Sequence, residues 1–241
     1  MSLCRSRRAL QGVDMGNKKD VDIYPSVMCC KPWDLEAYVR AFEEAGVAGI
    51  HFDVMDGHYV PNIMLGSEDF KAIRQLTDLS IDVHIMATEP ERFVPYFGLR
   101  KGDSLSFHPE VSLQPYRLLE SLRAMGVSAG LALSPGVPVS YLEECLDVLD
   151  FVMVMAVSPG FAGQKMVPDH LDKLRRISEI TSQAKHPISI VVDGNTTPSN
   201  ARHMHEAGAT GFVVGTSSLI QGGPSAFSEK YRAYQAEIVR A

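Results

Sequence analysis

Two hydrophobic patterns alternate along the chain from residue 22 onward. Short apolar, often β-branched runs are typical of strands buried on both faces of a parallel sheet, and longer stretches with apolar residues every three or four positions are typical of covering helices. The predicted strands span residues 23–28, 49–54, 80–85, 104–107, 128–133, 151–155, 188–192 and 211–214. The predicted helices span residues 34–45, 67–76, 90–97, 113–125, 139–146, 168–184, 198–207 and 224–239.

Eight strand-helix units in a chain of this length favour a closed (β/α)8 TIM barrel, an α/β fold with a single domain. An open, doubly wound parallel sheet is the structural alternative, because it is built from the same repeating unit. Residues 1–20 carry five cationic side chains and lack the apolar stretch of a secretory signal. We therefore expect a flexible N-terminal tail over residues 1–20 and a catalytic barrel domain over residues 21–241.

Charge and cysteine content narrow the functional classes. A formal net charge of -6 makes nucleic acid an unfavourable partner, and the apolar runs are too short to cross a membrane. The four cysteines form no Cys-x-x-Cys pair, which favours a reducing compartment. We expect a cytoplasmic protein that acts on a small molecule.

Polar side chains stand at the carboxyl ends of the predicted strands, where TIM barrels build their active sites. A single histidine there is usually a packed core residue, but several polar groups at one rim indicate a functional site. The residues in question are Ser26, His51, Asp53, His84, His108, Asp193 and Thr216.

Four of these residues form a candidate metal site. His51, Asp53, His84 and Asp193 come from the second, third and seventh predicted strands, so a closed barrel would bring them together. Two imidazoles and two carboxylates suit one divalent ion of Zn, Fe, Mn or Co better than Mg or Ca. A hydrogen-bonded polar network without metal is the alternative.

Glycine-rich segments follow the sixth and eighth predicted strands, at residues 158–164 and 213–217. Glycines let the backbone approach a ligand and point N–H groups at it, and loops at this end of a barrel commonly bind phosphate. Met55, Met86 and Met155 lie at the same rim and could form an apolar lining.

A metal, a phosphate cradle and two carboxylates indicate proton transfer beside a carbonyl group of a phosphorylated substrate. Asp53 and Asp193 could remove a proton from one face of a carbon and return one to the other, through a metal-stabilised enediolate. The absence of a strand-end lysine argues against a Schiff-base aldolase. Two alternatives remain: a catalytically silent barrel that binds a sugar phosphate as a sensor or partner, and a different phosphate-binding enzyme such as a decarboxylase or aldolase.

In combination, five motifs resemble the ribulose-phosphate 3-epimerase family, whose members are metal-dependent (β/α)8 barrels that invert C3 of ketose phosphates. The similarity extends from Ile23 to the C-terminal helix. The motifs are Pro25-Ser26, His51-x-Asp53-x-Met55-Asp56-Gly57-His58-x-Val60-Pro61-Asn62, Asp82-Val83-His84-x-Met86, Pro159-Gly160-Phe161-x-Gly163-Gln164 and Val192-Asp193-Gly194.

This resemblance implies an epimerase that converts D-ribulose 5-phosphate to D-xylulose 5-phosphate. It implies that His51, Asp53, His84 and Asp193 bind the metal, with Asp53 and Asp193 as the acid/base pair. It further implies a homo-oligomer. The implied substrate-binding residues are Ser26, His84, Met55, Met86, Met155, Gly160, Phe161, Ala162, Gly163, Gly194, Asn195, Gly215 and Thr216.

The sequence departs from the common family pattern at three positions. Ala162 and Asn195 stand where glycines are usual, and Thr216 stands in place of a serine. Because backbone N–H groups remain, we expect phosphate binding to survive. Three features resemble the branch that epimerises D-allulose 6-phosphate: Cys29, His108-Pro109-Glu110 and Gly160-Phe161-Ala162-Gly163-Gln164. That reaction gives D-fructose 6-phosphate and is the alternative substrate assignment.

Overall fold

Nine strands form one sheet in the computed structural model, which describes residues 21–239. The strands are β1 (Asp22–Pro25), β2 (Ile50–Asp56), β3 (Ile63–Met64), β4 (Ile81–Met86), β5 (Ser104–Phe107), β6 (Ser128–Leu133), β7 (Phe151–Met155), β8 (Ser189–Asp193) and β9 (Gly211–Val214). Their order in the sheet is β1-β9-β8-β7-β6-β5-β4-β2-β3. Among the described residues, every pairing of these strands is parallel except that of β2 with β3.

The sheet closes between β1 and β2. Ser26 forms a parallel bridge with His51, and the Ala48 N–H donates to the carbonyl of Ile23 at 3.1 Å. Closure makes eight parallel strands into a (β/α)8 TIM barrel, with β3 as a short antiparallel addition outside it. The predicted single-domain α/β barrel is confirmed, and the carboxyl ends of its strands meet at one rim.

The α-helices lie around this sheet as α1 (Leu35–Ala45), α2 (Ser67–Leu76), α3 (Pro115–Ala124), α4 (His170–Thr181), α5 (Pro198–Glu206) and α6 (Phe227–Ile238). Their ends follow local chemistry. Gly46 ends α1 in the left-handed conformation (φ 72°), and the Thr197 side chain accepts the N–H of Asn200 at the start of α5.

Two predicted α-helices are wrong in type. The segment over 90–97 forms two short 3-10 helices, Pro90–Arg92 and Val94–Tyr96, because Pro95 has no N–H to donate within a continuous helix. The segment over 139–146 is a 3-10 helix, Val139–Cys145. The first strand is shorter than predicted, because the chain turns into a 3-10 helix at Val27–Cys29. The predicted tail over 1–20 lies outside the described residues.

Alternation along β7 separates the interior of the barrel from the layer under the helices. Phe151, Met153 and Met155 belong to the inner cluster, whereas Val152 and Val154 belong to the larger cluster between the sheet and the helices. No helix among residues 21–239 is both long and apolar enough to cross a bilayer.

Gly130 is needed for close packing inside the barrel. A Cβ at this position would lie 2.4 to 2.7 Å from three ring atoms of Phe151, its partner across the sheet. We expect Gly130→Ala to lower the free energy of unfolding by about 1–3 kcal/mol because of this overpacking. Urea denaturation measures the effect. Gly136→Ala is the control, since a Cβ there meets no atom within 4 Å, and equal stability of the two variants would contradict the packing argument.

Candidate metal centre and active site

Four buried or half-buried side chains converge at the carboxyl end of the barrel. His51 and Asp53 point inward from β2, His84 lies beside Asp53 on β4, and Asp193 ends β8. One ligand atom from each of the four residues lies within 4.8 Å of the others. The barrel therefore brings together the four residues that the sequence predicts as metal ligands.

The His51 ring is oriented from behind by a carboxylate. Its Nδ1 lies 2.7 Å from Oδ2 of Asp82, whose other oxygen accepts the hydroxyl of Ser104 at 2.6 Å. An ionised carboxylate only accepts hydrogen bonds, so Nδ1 of His51 carries a proton. Nε2 faces Oδ1 of Asp53 at 3.2 Å, which makes Nε2 the atom that can coordinate a cation.

The His84 ring presents an unpartnered nitrogen to the same point. Nδ1 of His84 is buried without a hydrogen-bond partner, 3.8 Å from Oδ1 of Asp53 and 4.0 Å from Oδ2 of Asp193. Buried polar atoms are rarely left unsatisfied, and an imidazole nitrogen facing two carboxylates is chemically suited to a shared cation. This arrangement fits a borderline divalent metal ion.

Burial and neighbouring charges shift the pKa values of Asp193 and Asp53 in opposite directions. Burial raises the pKa of Asp193 to about 7, with His51 opposing the shift and Asp53 adding to it. Burial would also raise the pKa of Asp53, but the His51 ring outweighs it and lowers that pKa to about 2. Burial and His51 lower the pKa of His84 to about 4, so this ring is neutral at pH 7.

Metal affinity should depend on pH because Asp193 must lose its proton to bind a cation. With a pKa of about 7, this group alone raises the dissociation constant for Zn²⁺ about tenfold between pH 8 and pH 6. Competition with a chromophoric chelator measures this dependence. Asp193→Asn lacks the titrating group, so the factor by which its dissociation constant for Zn²⁺ rises between pH 8 and pH 6 should be about tenfold smaller than in the wild type. The same pH dependence in both proteins would contradict this assignment.

A cavity opens above the four residues. Asp53 and Asp193 form part of its lining, whereas the His51 and His84 rings are fully buried beneath it. Twelve predicted substrate-binding residues line it: Ser26, Met55, Met86, Met155, Gly160, Phe161, Ala162, Gly163, Gly194, Asn195, Gly215 and Thr216. His84, which the resemblance also places at the substrate, lies under the cavity and does not line it.

The backbone of the rim explains two of its unusual residues. Asn195 adopts a left-handed conformation (φ 51°), which asparagine tolerates better than most residues other than glycine. Gly194 also has a positive φ, and a Cβ there would lie 2.6 Å from the Val157 side chain. The asparagine that departs from the family pattern thus keeps the backbone shape that a glycine would give.

Comparison with known proteins identifies the family. Residues 22–219 match the model of the "Ribulose-phosphate 3 epimerase family". The chain belongs to the ribulose-phosphate 3-epimerase family.

Two relatives illustrate how far the similarity extends. The chain is 38% identical over 211 residues to a protein of Arabidopsis thaliana named "Ribulose-5-phosphate-3-epimerase, chloroplastic", covering 87% of this chain and 75% of the relative. It is 37% identical over 197 residues to "Ribulose-phosphate 3-epimerase" of Bacillus subtilis (strain 168), covering 81% of this chain and 91% of the relative.

Solved structures with low sequence identity share the barrel of this ribulose-phosphate 3-epimerase family member. Thiamine phosphate pyrophosphorylase from Pyrococcus furiosus has a TM-score of 0.60 at 19% identity, covering 92% of this chain and 98% of that chain. A variant of the tryptophan synthase α-subunit from the same organism has a TM-score of 0.59 at 14% identity, covering 90% of this chain and 96% of that chain. These similarities show the fold alone.

Several residues around the site of this family member were not predicted from sequence. Asp82 accepts the hydrogen bond that orients the His51 ring. The parallel register that pairs these two residues across β2 and β4 is the feature that could have predicted this contact. Cys29 also lines the cavity. His108 is predicted at the rim without a role, and it contacts His84 through Nε2 of both rings at 3.0 Å. Other unpredicted lining residues are Met28, Val157 and Thr196, whereas Ser158, Pro159, Gln164, Val213 and Ser217 belong to the two segments predicted to bind phosphate.

Proposed function

We propose that this protein is a metal-dependent epimerase that inverts C3 of D-ribulose 5-phosphate to give D-xylulose 5-phosphate. One observation carries the proposal. Asp53 and Asp193 reach one point from two different walls of the barrel, β2 and β8, and their pKa values are shifted in opposite directions. Paired titratable groups with divergent acidity are the arrangement that acid/base catalysis needs.

His51, Asp53, His84 and Asp193 would hold the metal ion through two nitrogen and two oxygen donors. This donor set supports one ion of Zn, Fe, Mn or Co. When bound, such an ion supplies positive charge that stabilises negative charge developing on the substrate's carbonyl oxygen.

The two carboxyl groups would divide the proton transfer between them. Asp53, with a pKa of about 2, is ionised and takes the C3 proton from one face. Asp193, whose pKa burial raises to about 7 in the metal-free protein, is the more basic of the two carboxylates and would return a proton to the opposite face. Ser26 donates its hydroxyl to Oδ2 of Asp53 at 2.6 Å, which orients the base. Inversion of the carbon follows from taking and returning the proton on different faces.

Backbone groups at the rim would bind the phosphate. The segment Gly160–Gly163 and residues Gly194, Gly215 and Thr216 surround the cavity, and no lysine or arginine of the described chain lines it. A cradle of N–H groups can hold a phosphate without a cationic side chain. We assign the Asn195 side chain a supporting part, since its Oδ1 accepts the Met166 N–H at 3.2 Å and the Asn200 amide at 2.8 Å.

Three methionines would keep water from the reacting carbon. Met55 and Met86 pack together in one small cluster, and Met155 lies in the inner cluster of the barrel. Each is nearly fully buried and still forms part of the cavity lining. A low-dielectric lining strengthens the electrostatic interactions within the site and limits loss of protons to solvent.

Substrate length is tested by incubating the metal-loaded protein with D-ribulose 5-phosphate and with D-allulose 6-phosphate in parallel. We expect a higher kcat/KM for the pentulose phosphate. Faster turnover of the hexulose phosphate would reject the pentulose assignment in favour of the allulose 6-phosphate branch. Tight binding of both sugars without turnover would instead favour a silent sugar-phosphate-binding barrel.

We further propose a homo-oligomer that works in the cytoplasm. Three described cysteines, Cys29, Cys30 and Cys145, are free thiols, which supports a reducing compartment. Leu113, Tyr116 and Tyr141 line one exposed surface groove, and exposed apolar groups of this size support self-association. Light scattering of the purified protein gives the assembled mass, and a monomeric mass at micromolar concentration would reject the oligomer.

A further inference from the structure

A chain of hydrogen bonds leads from His84 to the rim of the barrel. Nε2 of His84 lies 3.0 Å from Nε2 of His108, and Nδ1 of His108 lies 3.2 Å from the hydroxyl of Ser134. That hydroxyl lies 2.9 Å from the hydroxyl of Tyr59, which donates to Oε1 of Glu110 at 2.7 Å. His84 and His108 are fully buried, and the Glu110 side chain is 24% exposed.

The carboxylate at the end fixes the direction of every bond in this chain. Glu110 only accepts, so the Tyr59 hydroxyl proton points to it and the Tyr59 oxygen must accept from Ser134. Ser134 has then used its single proton, so it must accept the Nδ1 proton of His108. The Nε2 atom of a neutral His108 is left with a lone pair, so the bond between the two rings needs a proton on Nε2 of His84.

We infer that Glu110 sets the tautomer of His84 through Tyr59, Ser134 and His108, and that this leaves the Nδ1 lone pair of His84 directed at the cation. The inference rests on the proposed function, since it concerns the same metal site. These four residues are positioning residues, because none of their bonds in the chain reaches the site except through His84. A neutral imidazole binds a metal only through its unprotonated nitrogen, and the hydrogen bond of the other nitrogen decides which one that is.

Two further observations support this direction of the hydrogen bonds from His84 to Glu110. Oε1 of Glu110 also lies 3.8 Å from Nδ1 of His108, which favours a proton on that nitrogen. The Nδ1 atom of His84 has no hydrogen-bond partner, whereas its Nε2 atom has one. A proton on Nδ1 would therefore leave a buried N–H pointing at two carboxylates without a hydrogen bond to either.

Neighbouring groups hold the hydrogen-bonded side chains in place. The Tyr59 ring lies over the His108 ring with centroids 4.6 Å apart. The Lys173 ammonium donates to the carbonyls of Ser134 at 2.5 Å and Val137 at 2.6 Å, which fixes the backbone that carries the Ser134 hydroxyl. The four residues Tyr59, His108, Glu110 and Ser134 thus lie on the segments that follow β2, β5 and β6.

The tautomer of His84 is measured by ¹⁵N NMR of the metal-free protein with labelled histidine, assigned with His84→Gln. We expect one neutral form with the proton on Nε2. In Glu110→Gln the amide can donate to Tyr59 and reverse the chain, so we expect a second His84 form with the proton on Nδ1. Glu120→Gln, an exposed glutamate on α3, is the matched control and should give the wild-type spectrum.

Metal affinity gives a second readout that does not depend on activity. We expect Glu110→Gln and Tyr59→Phe each to raise the dissociation constant for Co²⁺ about tenfold, at the lower end of the range for residues behind a metal ligand. The double variant should be no weaker than either single variant, because both changes break one chain. Tyr59→Phe keeps the ring over His108 and thus separates the hydroxyl from packing.

Three results would overturn the inference: a proton on Nδ1 of His84 in the wild type, wild-type spectra and affinities in Glu110→Gln and Tyr59→Phe, or additive losses in the double variant. The proposed function fails separately. The metal-loaded protein could turn over no ketose phosphate while His84 keeps its expected tautomer and the variants change the Co²⁺ affinity as described. In that case the epimerase proposal is wrong and the inference about Glu110 and His84 is still supported.

Discussion

Replacing Asp193 with asparagine should reduce kcat for epimerisation about a thousandfold, within the range that a positioned acid or base contributes. Asparagine keeps the size of the side chain and one oxygen donor but can neither hold nor release a proton. Burial raises the pKa of Asp193 to about 7 in the metal-free protein, so this carboxyl group holds and returns a proton more readily than Asp53, whose pKa is about 2. ¹H NMR in D₂O measures both inversion at C3 and exchange of the C3 proton.

Asp169→Asn is the matched control, because Asp169 is exposed at the start of α4 and its side chain makes no capping bond. Its kcat should equal that of the wild type. If Asp193→Asn inverts C3 at the wild-type rate while circular dichroism shows both variants folded, the two-carboxylate mechanism is wrong.

Removal of the metal is the second change with a large expected effect. Dialysis against a chelator should lower turnover by at least about a hundredfold, since a bound cation contributes several kcal/mol to stabilising the developing charge. Unfolding should also occur at a lower temperature. A ligand present at a hundred times its dissociation constant stabilises the folded state by about 2.7 kcal/mol. Activity and melting temperature are measured before and after addition of one equivalent of Zn²⁺, Mn²⁺, Fe²⁺ or Co²⁺.

A variant without both imidazoles, His51→Ala with His84→Ala, controls for metal bound elsewhere. Added metal should restore neither its activity nor its melting temperature. Full turnover by a chelated wild type with no measurable metal would show that the cation has no part in the reaction.

Strands were predicted from sequence more accurately than the segments between them. The bounds of β5, β6, β7 and β9 agree with the structure, because short apolar runs buried on both faces have few alternatives. The segment around Pro95 shows the limit. Its apolar spacing resembles a helix, but the missing N–H of the proline and local packing decide the conformation. The two-residue strand β3 is too short to give a periodic signal.

The convergence of the four candidate metal ligands could be predicted because it depends on topology. His51 and Asp53 point inward from β2, His84 lies beside Asp53 on β4, and Asp193 ends β8. A closed parallel barrel brings such inward-pointing side chains together whatever the details of their packing. The chemistry of imidazole and carboxylate then limits what the site can bind.

The residues behind the ligands could not be predicted in the same way. Asp82 requires the register between β2 and β4, and the path from His84 to Glu110 requires rotamers on loops distant in sequence. A sequence pattern gives strand direction and inside-outside alternation, but it does not give the hydrogen bonds that select one nitrogen of a ring. Those bonds come from tertiary packing.

The central claim is that His51, Asp53, His84 and Asp193 together hold one divalent cation between two proton-transferring carboxyl groups. Crystals grown with Co²⁺ or Zn²⁺ and measured at the absorption edge of the metal test this claim most directly. We expect a single anomalous peak about 2.0–2.2 Å from Nε2 of His51, Nδ1 of His84 and an oxygen of each aspartate. A saturated protein with no peak among these four side chains, or with the metal bound elsewhere, would contradict the account.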